Sequence, residues 1–145
     1  GKITTYRKLA EDVLTKIDPF FQNATEAWTA GVALPGGNFS VDGVTKLFEN
    51  LKGSFPFLSD AWARRLIKAY GTEAFMMLGD ATKATDLGRD FGATLTEREI
   101  MWLIEHEFAY RAEDIVWRRS RLGLRMSKQD ITALDEWMLS SFKNS

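Results

Sequence analysis

Hydrophobic residues recur at three- and four-residue steps along most of this chain, which is the spacing of an amphipathic α-helix. The first such stripe consists of Tyr6, Leu9, Ala10, Val13, Leu14 and Ile17. Pro19 ends it, and further stripes run through Val44–Leu51, Trp62–Tyr70 and the second half of the chain. No segment alternates between apolar and polar residues as a half-buried strand would. The pattern predicts an all-α fold, a single compact domain of about six or seven helices.

A long segment without helical periodicity follows the first helix. It runs from Asp18 to about Gly43 and includes the sequence Pro35-Gly36-Gly37 together with several aromatic side chains, namely Phe20, Phe21, Trp28 and Phe39. Connections between helices usually have only about 4–6 residues. Because aromatic surface is costly to leave in water, we expect an irregular arm that packs over a surface.

Helix starts are marked by residues that cap free backbone amides. Ser59 is a predicted N-cap, and a short helix at Glu73–Leu78 is expected after the helix that it begins. Thr96 with Glu99, and more weakly Ser127 with Asp130, match the spacing of a capping box, in which the two side chains bind each other's backbone amides. These boxes predict the starts of two helices in the second half of the chain.

Composition limits the possible functions. The 145 residues include no cysteine, which rules out disulfides and thiolate metal sites, and the net charge is −1. With a sequence pI near 5.9, broad nucleic-acid binding is disfavoured. No apolar run approaches the ~20 residues of a membrane-spanning helix. A start at Gly1-Lys2 without methionine makes us expect a piece of a longer protein.

One segment stands apart in its charge. Arg111–Arg125, R-A-E-D-I-V-W-R-R-S-R-L-G-L-R, contains five arginines, no lysine and two acidic residues, and is predicted to be helical from about Ala112 to Ser120. The planar guanidinium group holds carboxylates, phosphates and carbonyls at fixed angles. The segment is therefore either an anion site or a structural clamp. Because no glycine-rich phosphate cradle accompanies it, we favour a clamp formed by Asp114, Arg118 and Arg119.

Other candidate chemistry is weaker. His106 is the single histidine, and neighbours on a helix point about 100° apart, so Glu105 and Glu107 cannot join it around one metal ion. We expect no metal site and a hydrogen-bonded or surface histidine. Four acidic residues lie in or beside a loop predicted at Thr82–Thr94, and we expect them to pair with arginines across the fold: Asp80, Asp86, Asp90 and Glu97.

The N-terminus is a second candidate site. Gly1-Lys2-Ile3-Thr4-Thr5 leads directly into the first helix. Free backbone amides and the helix dipole attract anions there, and a lysine with two hydroxyls would suit a phosphate. A simple capping role for Thr4 or Thr5 explains the same residues equally well.

Five motifs occur in order: G-K-I-T-T-Y-R-K-L-A-E at the start, L-P-G-G at Leu34–Gly37, S-F-P-F-L at Ser54–Leu58, Y-G at Tyr70-Gly71, and the arginine segment. Together they resemble the C-terminal part of bacterial FAD-dependent, quinone-reducing glycerol-3-phosphate dehydrogenases and the related α-glycerophosphate oxidases. The resemblance covers essentially the whole chain, and its last motif is the most specific.

The resemblance implies a function for the parent protein. Such enzymes oxidise sn-glycerol 3-phosphate to dihydroxyacetone phosphate, pass a hydride to FAD and electrons to quinone, and lie peripherally on the cytoplasmic face of the membrane. Residues 1–7 would be the tail end of the FAD- and substrate-binding domain, and residues 8–145 a helical C-terminal domain. Lys2 would contact the substrate phosphate, and Ile3 and Thr4 would lie along the flavin.

The same resemblance implies no catalytic residue in this chain, which we therefore predict to be inactive alone, with neither FAD nor glycerol 3-phosphate bound. Its partner would be the N-terminal FAD domain of the same protein, and its role structural. The long arm would lie at or near that interface. An alternative is a stand-alone helical module whose Arg111–Arg125 segment binds an acidic partner or a nucleic acid.

Overall fold

A computed structural model describes residues 2–22 and 25–143, with residues 2, 142 and 143 described by their backbone alone. It divides into two compact units, Gly1–Leu34 and Pro35–Ser145. Within the described ranges there are six α-helices, one π-helical segment and three short 3-10 turns, and no strand beyond an isolated bridge between Asp90 and Thr96. The all-α prediction and its helix number are confirmed.

The first unit contains one long helix. α1 spans Lys2–Ile17, and a 3-10 turn at Asp18–Phe20, with a proline in its first turn, ends it as the sequence predicts. The remaining described residues of the unit are irregular. Glu11 on α1 accepts hydrogen bonds from Arg7 Nη1 (2.7 Å) and from Thr29 Oγ1 (2.6 Å), which connects the arm to the helix.

The apolar side chains of this first unit are exposed. Phe20 is 84% accessible, and the stripe of α1 and the other large apolar residues of the arm are also largely open to solvent: Tyr6, Leu9, Val13, Leu14, Ile17, Phe21, Trp28, Val32 and Leu34. The expectation that the arm's aromatic residues pack over a surface is therefore wrong for Phe20, Phe21 and Trp28 in this chain. No described residue of the first unit belongs to the buried core.

The second unit holds the remaining helices and the hydrophobic core. They are α2 (Val44–Ser54), α3 (Asp60–Tyr70), α4 (Glu73–Leu78), α5 (Glu97–Glu107), the π-helical segment (Asp114–Arg119) and α6 (Lys128–Lys143). The most deeply buried large side chains come from all parts of this unit: Leu51, Leu58, Leu66, Leu78, Leu87, Leu95, Ile100, Leu103, Ile115, Leu134 and Met138. Because apolar burial contributes roughly 25 cal/mol per Å², this shared core is what holds the helices together.

Two of the three predicted caps are confirmed. The Ser59 hydroxyl accepts a hydrogen bond from Trp62 N at 3.2 Å and so caps α3. The Ser127 hydroxyl accepts from Asp130 N at 3.1 Å, while Asp130 Oδ2 accepts from Ser127 N at 3.1 Å, which completes the box before α6.

The third prediction, a capping box formed by Thr96 and Glu99, is wrong. Thr96 makes no side-chain cap at the start of α5, and the carboxylate of Glu99 turns into the protein instead. The helix still begins at the predicted place. Its first backbone bond, from Ile100 N to Thr96 O at 3.0 Å, does not depend on the side chains.

Two glycines let distant backbone segments meet. Thr72 N donates to Gly36 O at 2.9 Å, just after α3. A Cβ added to Gly71 would lie 2.0 Å from Gly36 O, and one added to Gly36 would lie 2.1 Å from Tyr70 O. Both residues also have positive φ, +54° at Gly71 and +72° at Gly36, which L-residues with a side chain rarely adopt. The L-P-G-G motif and the Y-G motif therefore form the two sides of one backbone contact.

Local geometry differs from the sequence prediction at two further places. The loop predicted at Thr82–Thr94 contains a 3-10 turn at Ala84–Leu87. Phe108 lies at helical spacing after Ile100, Leu103 and Ile104, which predicts a place in the apolar stripe of α5, but it follows the helix with φ +56° and is 72% exposed. A left-handed residue commonly ends a helix, and here it turns the side chain away from the core.

Candidate functional site

The predicted N-terminal site lies at the first turn of α1. The helix begins at Lys2, and its first turn contains no acidic residue. Ile3 and Thr4 are exposed. The side chain of Lys2 lies outside the part of the chain that the structure describes.

The N-terminal unit also forms a groove of 510 Å³ beside the second half of α1. Its walls combine the aromatic side chains of Phe21 and Trp28 with the acidic side chains of Glu11, Asp18 and Glu26. The hydrogen bond from Thr29, together with the hydrogen bond and charge of Arg7, outweighs desolvation and lowers the pKa of Glu11. The groove belongs to the same exposed apolar surface as the stripe of α1.

In the arginine segment, Asp114 is the centre of the polar contacts. Its Oδ2 accepts hydrogen bonds from Tyr110 N at 3.0 Å and Arg111 N at 3.1 Å, and its Oδ1 accepts from Arg118 Nη1 at 2.5 Å. The backbone bond from Tyr110, followed by those from Arg111 and Arg118, lowers the pKa of Asp114 against the opposing effect of desolvation. Asp114 therefore binds the backbone amides of the residues that precede the π-helical segment.

Arg118 and Arg119 have different surroundings. The Arg118 side chain is 61% exposed and reaches Asp114 and, at 3.3 Å, Glu113. Arg119 is more buried and donates from Nη2 to the backbone carbonyl of Glu107 at 2.6 Å. That carbonyl belongs to the last turn of α5, where helix carbonyls lack partners within the helix. Arg119 thus connects the π-helical segment to the end of α5.

The π-helical geometry itself was not expected from the sequence. Ser120 N donates to Ile115 O, five residues earlier, at 3.0 Å, and the Ser120 hydroxyl donates to the same carbonyl at 2.7 Å. After it, Arg121 donates to the carbonyl of Trp117, and the indole of Trp117 covers Gly123 so closely that a Cβ there would meet the ring at 2.6 Å. Gly123 is needed for this contact.

A buried ion pair lies elsewhere in the same unit, and sequence reasoning missed it. Glu99 is 2% exposed and accepts hydrogen bonds from Arg65 Nη1 and Nη2 at 2.6 and 2.7 Å and from Tyr70 Oη at 2.7 Å. Arg65 also donates to the carbonyl and the hydroxyl of Thr94, at 2.8 and 2.9 Å. The residues come from α3, α5 and the turn before α5. The sequence does contain a signal for this ion pair, because Arg65 directly precedes Leu66 of the apolar stripe of α3.

The electrostatics of this cluster follow from its burial. Burial disfavours the charged form of Arg65, but the hydrogen bonds and charge of Glu99 outweigh it and raise the pKa of Arg65. Burial, reinforced by the charge of Glu99, raises the pKa of Tyr70 far above its ordinary value. The cluster therefore holds a charged pair and a neutral tyrosine hydroxyl, which is an arrangement for stability rather than for proton transfer.

Three of the four loop acids bind backbone amides near them in sequence instead of the distant arginines. Asp86 Oδ2 accepts from Thr82 N at 2.9 Å and Lys83 N at 3.1 Å, which lowers its pKa, with the bond from Thr82 as the largest cause. Asp90 accepts from Gly92 N, and Glu97 from Arg89 N. Within the described residues none of these, nor Asp80, forms a salt bridge with the arginine segment.

His106 is an exposed histidine, as predicted. Its ring stacks on the indole of Trp102 with centroids 3.8 Å apart, and its Nδ1 lies 3.1 Å from the Trp102 carbonyl. Among the described residues no group of three or more histidine, aspartate or glutamate side chains is placed to hold a metal ion. In the same part of the chain, no helix is long and apolar enough to cross a membrane.

These features define an all-α domain whose described polar clusters cap and connect helices. Comparison with known proteins then identifies it: the chain belongs to the family described as the C-terminal domain of alpha-glycerophosphate oxidase, which it matches over residues 27–139. The resemblance stated from the sequence motifs is confirmed.

Curated relatives extend this similarity to nearly the whole chain. It is 37% identical over 139 residues to the aerobic glycerol-3-phosphate dehydrogenase of Escherichia coli, covering 96% of this chain and 28% of that protein. It is 43% identical over 140 residues to a glycerol-3-phosphate dehydrogenase of Pseudomonas aeruginosa, covering 97% and 27%. A D-erythritol 1-phosphate dehydrogenase of Brucella abortus is 30% identical over 137 residues, covering 94% and 27%. The chain thus spans little more than a quarter of these relatives.

Proposed function

We propose that this chain is the helical C-terminal domain of an FAD-dependent sn-glycerol-3-phosphate dehydrogenase and serves there as a structural and interaction module. The parent enzyme oxidises glycerol 3-phosphate to dihydroxyacetone phosphate, with hydride transfer to FAD and electron transfer to quinone. Family membership and the names of the two bacterial dehydrogenases support this proposal. The Brucella relative is named for a different polyol phosphate, D-erythritol 1-phosphate.

The exposed apolar surface of the first unit is the observation that carries the interaction role. The stripe of α1 and the aromatic residues of the arm leave many large apolar side chains open to water within one stretch of the chain. Large apolar side chains exposed in this number are typical of a protein interface. We assign it to the contact with the N-terminal FAD domain.

The described residues do not form a dinucleotide cradle, because such a cradle needs a strand followed by a glycine-rich turn and a helix. In the proposed enzyme FAD is held by the other domain, and this chain touches it only at the start of α1. Ile3 and Thr4, both exposed in the first turn, would lie against the flavin. Lys2 would bind the substrate phosphate at the helix N-terminus, where the helix dipole favours an anion.

Residues 1–7 would belong functionally to the FAD and substrate domain, and residues 8–145 to the helical domain. The parent would lie peripherally on the cytoplasmic face of the membrane. The alternative of a stand-alone module is less well supported, because Arg118 and Arg119 already bind groups of this chain.

Complementation tests the function. The chain is co-expressed with the FAD domain of a relative, and glycerol 3-phosphate-dependent reduction of a quinone analogue is measured. We expect turnover with the wild-type chain and a loss of domain association with Leu9→Asp together with Val13→Asp, two exposed positions of the α1 stripe. Lys8→Glu is the matched control, since it changes the net charge equally on an exposed polar position of α1. Equal loss with both variants, or no turnover with the wild type, contradicts the proposal.

Lys2→Met tests the proposed phosphate contact in the same complex. Loss of one charge-assisted hydrogen bond should lower kcat/KM for glycerol 3-phosphate by about 10- to 100-fold. Domain association should not change. Lys16→Met, at the other end of α1, is the control and should leave kcat/KM unchanged. The isolated chain should show no flavin absorbance, and a flavin band on it would contradict the assignment of FAD to the other domain.

A further inference from the structure

The groove of the first unit is built from two separate segments of the chain. One wall comes from α1 and the 3-10 turn that ends it, with Glu11 and Asp18, and the other comes from the arm, with Phe21, Glu26 and Trp28. We call it the acidic groove and define it by these five residues. It encloses a volume of 510 Å³.

A cluster of hydrogen bonds fastens one wall of the acidic groove to the other. The Thr29 hydroxyl, on the arm, donates to Glu11 Oε1 at 2.6 Å. Arg7 Nη1 donates to the same carboxylate oxygen at 2.7 Å and to the Thr29 hydroxyl at 3.3 Å. The side chain of Glu11 is only 14% exposed, and Arg7 balances its charge. Glu11 therefore shapes the groove and is already paired within the chain.

The other two carboxylates of the acidic groove are not balanced in this way. Among the described residues, Asp18 and Glu26 form no salt bridge, and no basic side chain lines the groove. The rings of Phe21 and Trp28 beside them are 61% and 67% exposed. Aromatic faces attract cations, and the long stems of lysine and arginine pack well on apolar surface. The groove therefore suits a basic side chain.

The position of the acidic groove indicates where such a side chain comes from. Leu14 lines the groove and also belongs to the exposed apolar stripe of α1, so the two surfaces are continuous. We assign that stripe to the contact with the FAD domain. This chain spans only 28% and 27% of two of its relatives, so nearly three quarters of each relative is polypeptide that this chain does not match.

We propose that the acidic groove receives a basic segment of the FAD domain of the same parent protein, whose lysine or arginine side chains lie along Trp28 and pair with Asp18 and Glu26. Charge complementarity carries this choice, since an anionic or purely apolar segment would leave both carboxylates unpaired as the groove closes. The inference rests on the proposed function, which supplies the partner, and adds the chemistry of the contact.

Charge removal tests the proposal. The chain is co-expressed with the FAD domain of the Pseudomonas aeruginosa relative, and the dissociation constant of the purified complex is measured by sedimentation on dilution. Asp18→Asn with Glu26→Gln should weaken the complex by about 2- to 10-fold. Added salt should weaken the wild-type complex more than this variant. Asp42→Asn with Glu49→Gln is the matched control, because both are exposed acids of the second unit. Equal effects of the two pairs, or tighter binding by the groove variant, would overturn the proposal.

Photo-crosslinking identifies what occupies the groove. Thr15 lines the groove from α1 and is exposed, so p-benzoylphenylalanine in its place reports on the nearest polypeptide. In the co-expressed complex we expect a crosslink to the FAD domain, mapped by mass spectrometry to a segment that carries lysine or arginine. A crosslink to residues 35–145, or to a second copy of this chain, would overturn the proposal.

Thr29 tests whether the fastened walls matter. Thr29→Val keeps the size of the side chain but removes its hydrogen bond to Glu11, and should weaken the complex. Thr29→Ser keeps the hydroxyl and should restore wild-type affinity. Equal affinity of the valine and serine variants would overturn the role of this hydrogen bond in shaping the groove.

The outcomes separate this inference from the proposed function. If the wild-type chain associates with the FAD domain, and Leu9→Asp with Val13→Asp abolishes association while the groove pair has no effect, only the acidic groove is wrongly assigned. If the wild-type chain does not associate, the proposed function fails and this inference fails with it.

Discussion

At the scale of single residues, the most consequential side chain is Glu99. It is buried, and its two oxygens accept three hydrogen bonds from Arg65 and Tyr70. Removing one member of a buried pair leaves the other without compensation and typically costs about 3–5 kcal/mol. The exposed pair of Arg118 with Asp114 has the same chemistry but lies in water, where such pairs contribute about 0–1 kcal/mol. Burial, rather than the presence of a salt bridge, decides which arginine matters for stability.

Tyr70→Phe tests this cluster. Removing the hydroxyl should lower the free energy of unfolding by about 1–2 kcal/mol at neutral pH, because Glu99 loses one hydrogen bond but keeps Arg65. The folded-state pKa of Tyr70 is raised, so its contribution is complete below the unfolded pKa of about 10 and is lost as the pH rises above it. Urea unfolding at neutral pH and above pH ~10 measures both effects. A difference between wild type and variant that stays constant with pH would contradict the assignment.

At the scale of elements, the structure explains why particular sequence motifs accompany these helices. The glycines of the L-P-G-G and Y-G motifs face each other across one close backbone contact at the end of α3. The arginine segment contains a π-helical turn at Asp114–Arg119. Arg119 donates to the Glu107 carbonyl at the end of α5, and Asp114 accepts a hydrogen bond from the Tyr110 amide just before the turn. In both cases the residue type is required by backbone geometry.

Gly71→Ala should therefore be strongly destabilising. The new methyl group would overlap with the Gly36 carbonyl, and alanine would have to adopt φ +54°. We expect a loss of at least about 2 kcal/mol in the free energy of unfolding, measured by urea denaturation. The control is Gly53→Ala in α2, where nothing lies within 4 Å of the added Cβ. There the same change should stabilise the protein by up to about 1 kcal/mol, and similar effects at both sites would contradict this account.

The two central arginines should differ in the same kind of measurement. Arg119→Ala removes a charge-assisted bond to the end of α5 and should cost about 1–2 kcal/mol. Arg118→Ala should cost less than about 1 kcal/mol, because the Arg118 guanidinium that pairs with Glu113 and Asp114 is exposed to water. The double variant should lose stability. A larger effect at Arg118 than at Arg119 would show that the clamp is centred on the ion pair.

At the scale of the whole molecule, the described residues separate into an exposed N-terminal unit and a unit with a core. Every buried core residue among those the structure describes lies between Leu47 and Met138, within the second unit. The first unit instead presents its apolar stripe and aromatic side chains to solvent. This division fits a module that folds around its own core and uses its N-terminal unit for contact with another domain.

Residues 35–145 alone should therefore fold. Because the core of the described chain lies wholly in this unit, deletion of residues 1–34 should change its free energy of unfolding by less than about 1 kcal/mol. Circular dichroism and urea denaturation of the shortened chain measure this. A non-cooperative transition or a much lower midpoint would mean that α1 is part of the folding unit. The matched full chain with Leu9→Asp and Val13→Asp should unfold like the wild type.

The sequence by itself determined the approximate positions of the six α-helices, the all-α class, two of the three caps and the family. Helical periodicity and capping depend on residues within about four positions of each other, so they can be read from a single chain. Only the tertiary structure decided that Glu99 leaves its predicted capping box for Arg65 and Tyr70, which are 34 and 29 residues away. It also decided the contact of Gly36 with Gly71 and the exposure of Phe108, because these depend on how helices lie against each other. The roles of Lys2, Ile3 and Thr4, and of the Asp114 clamp, stay predictions.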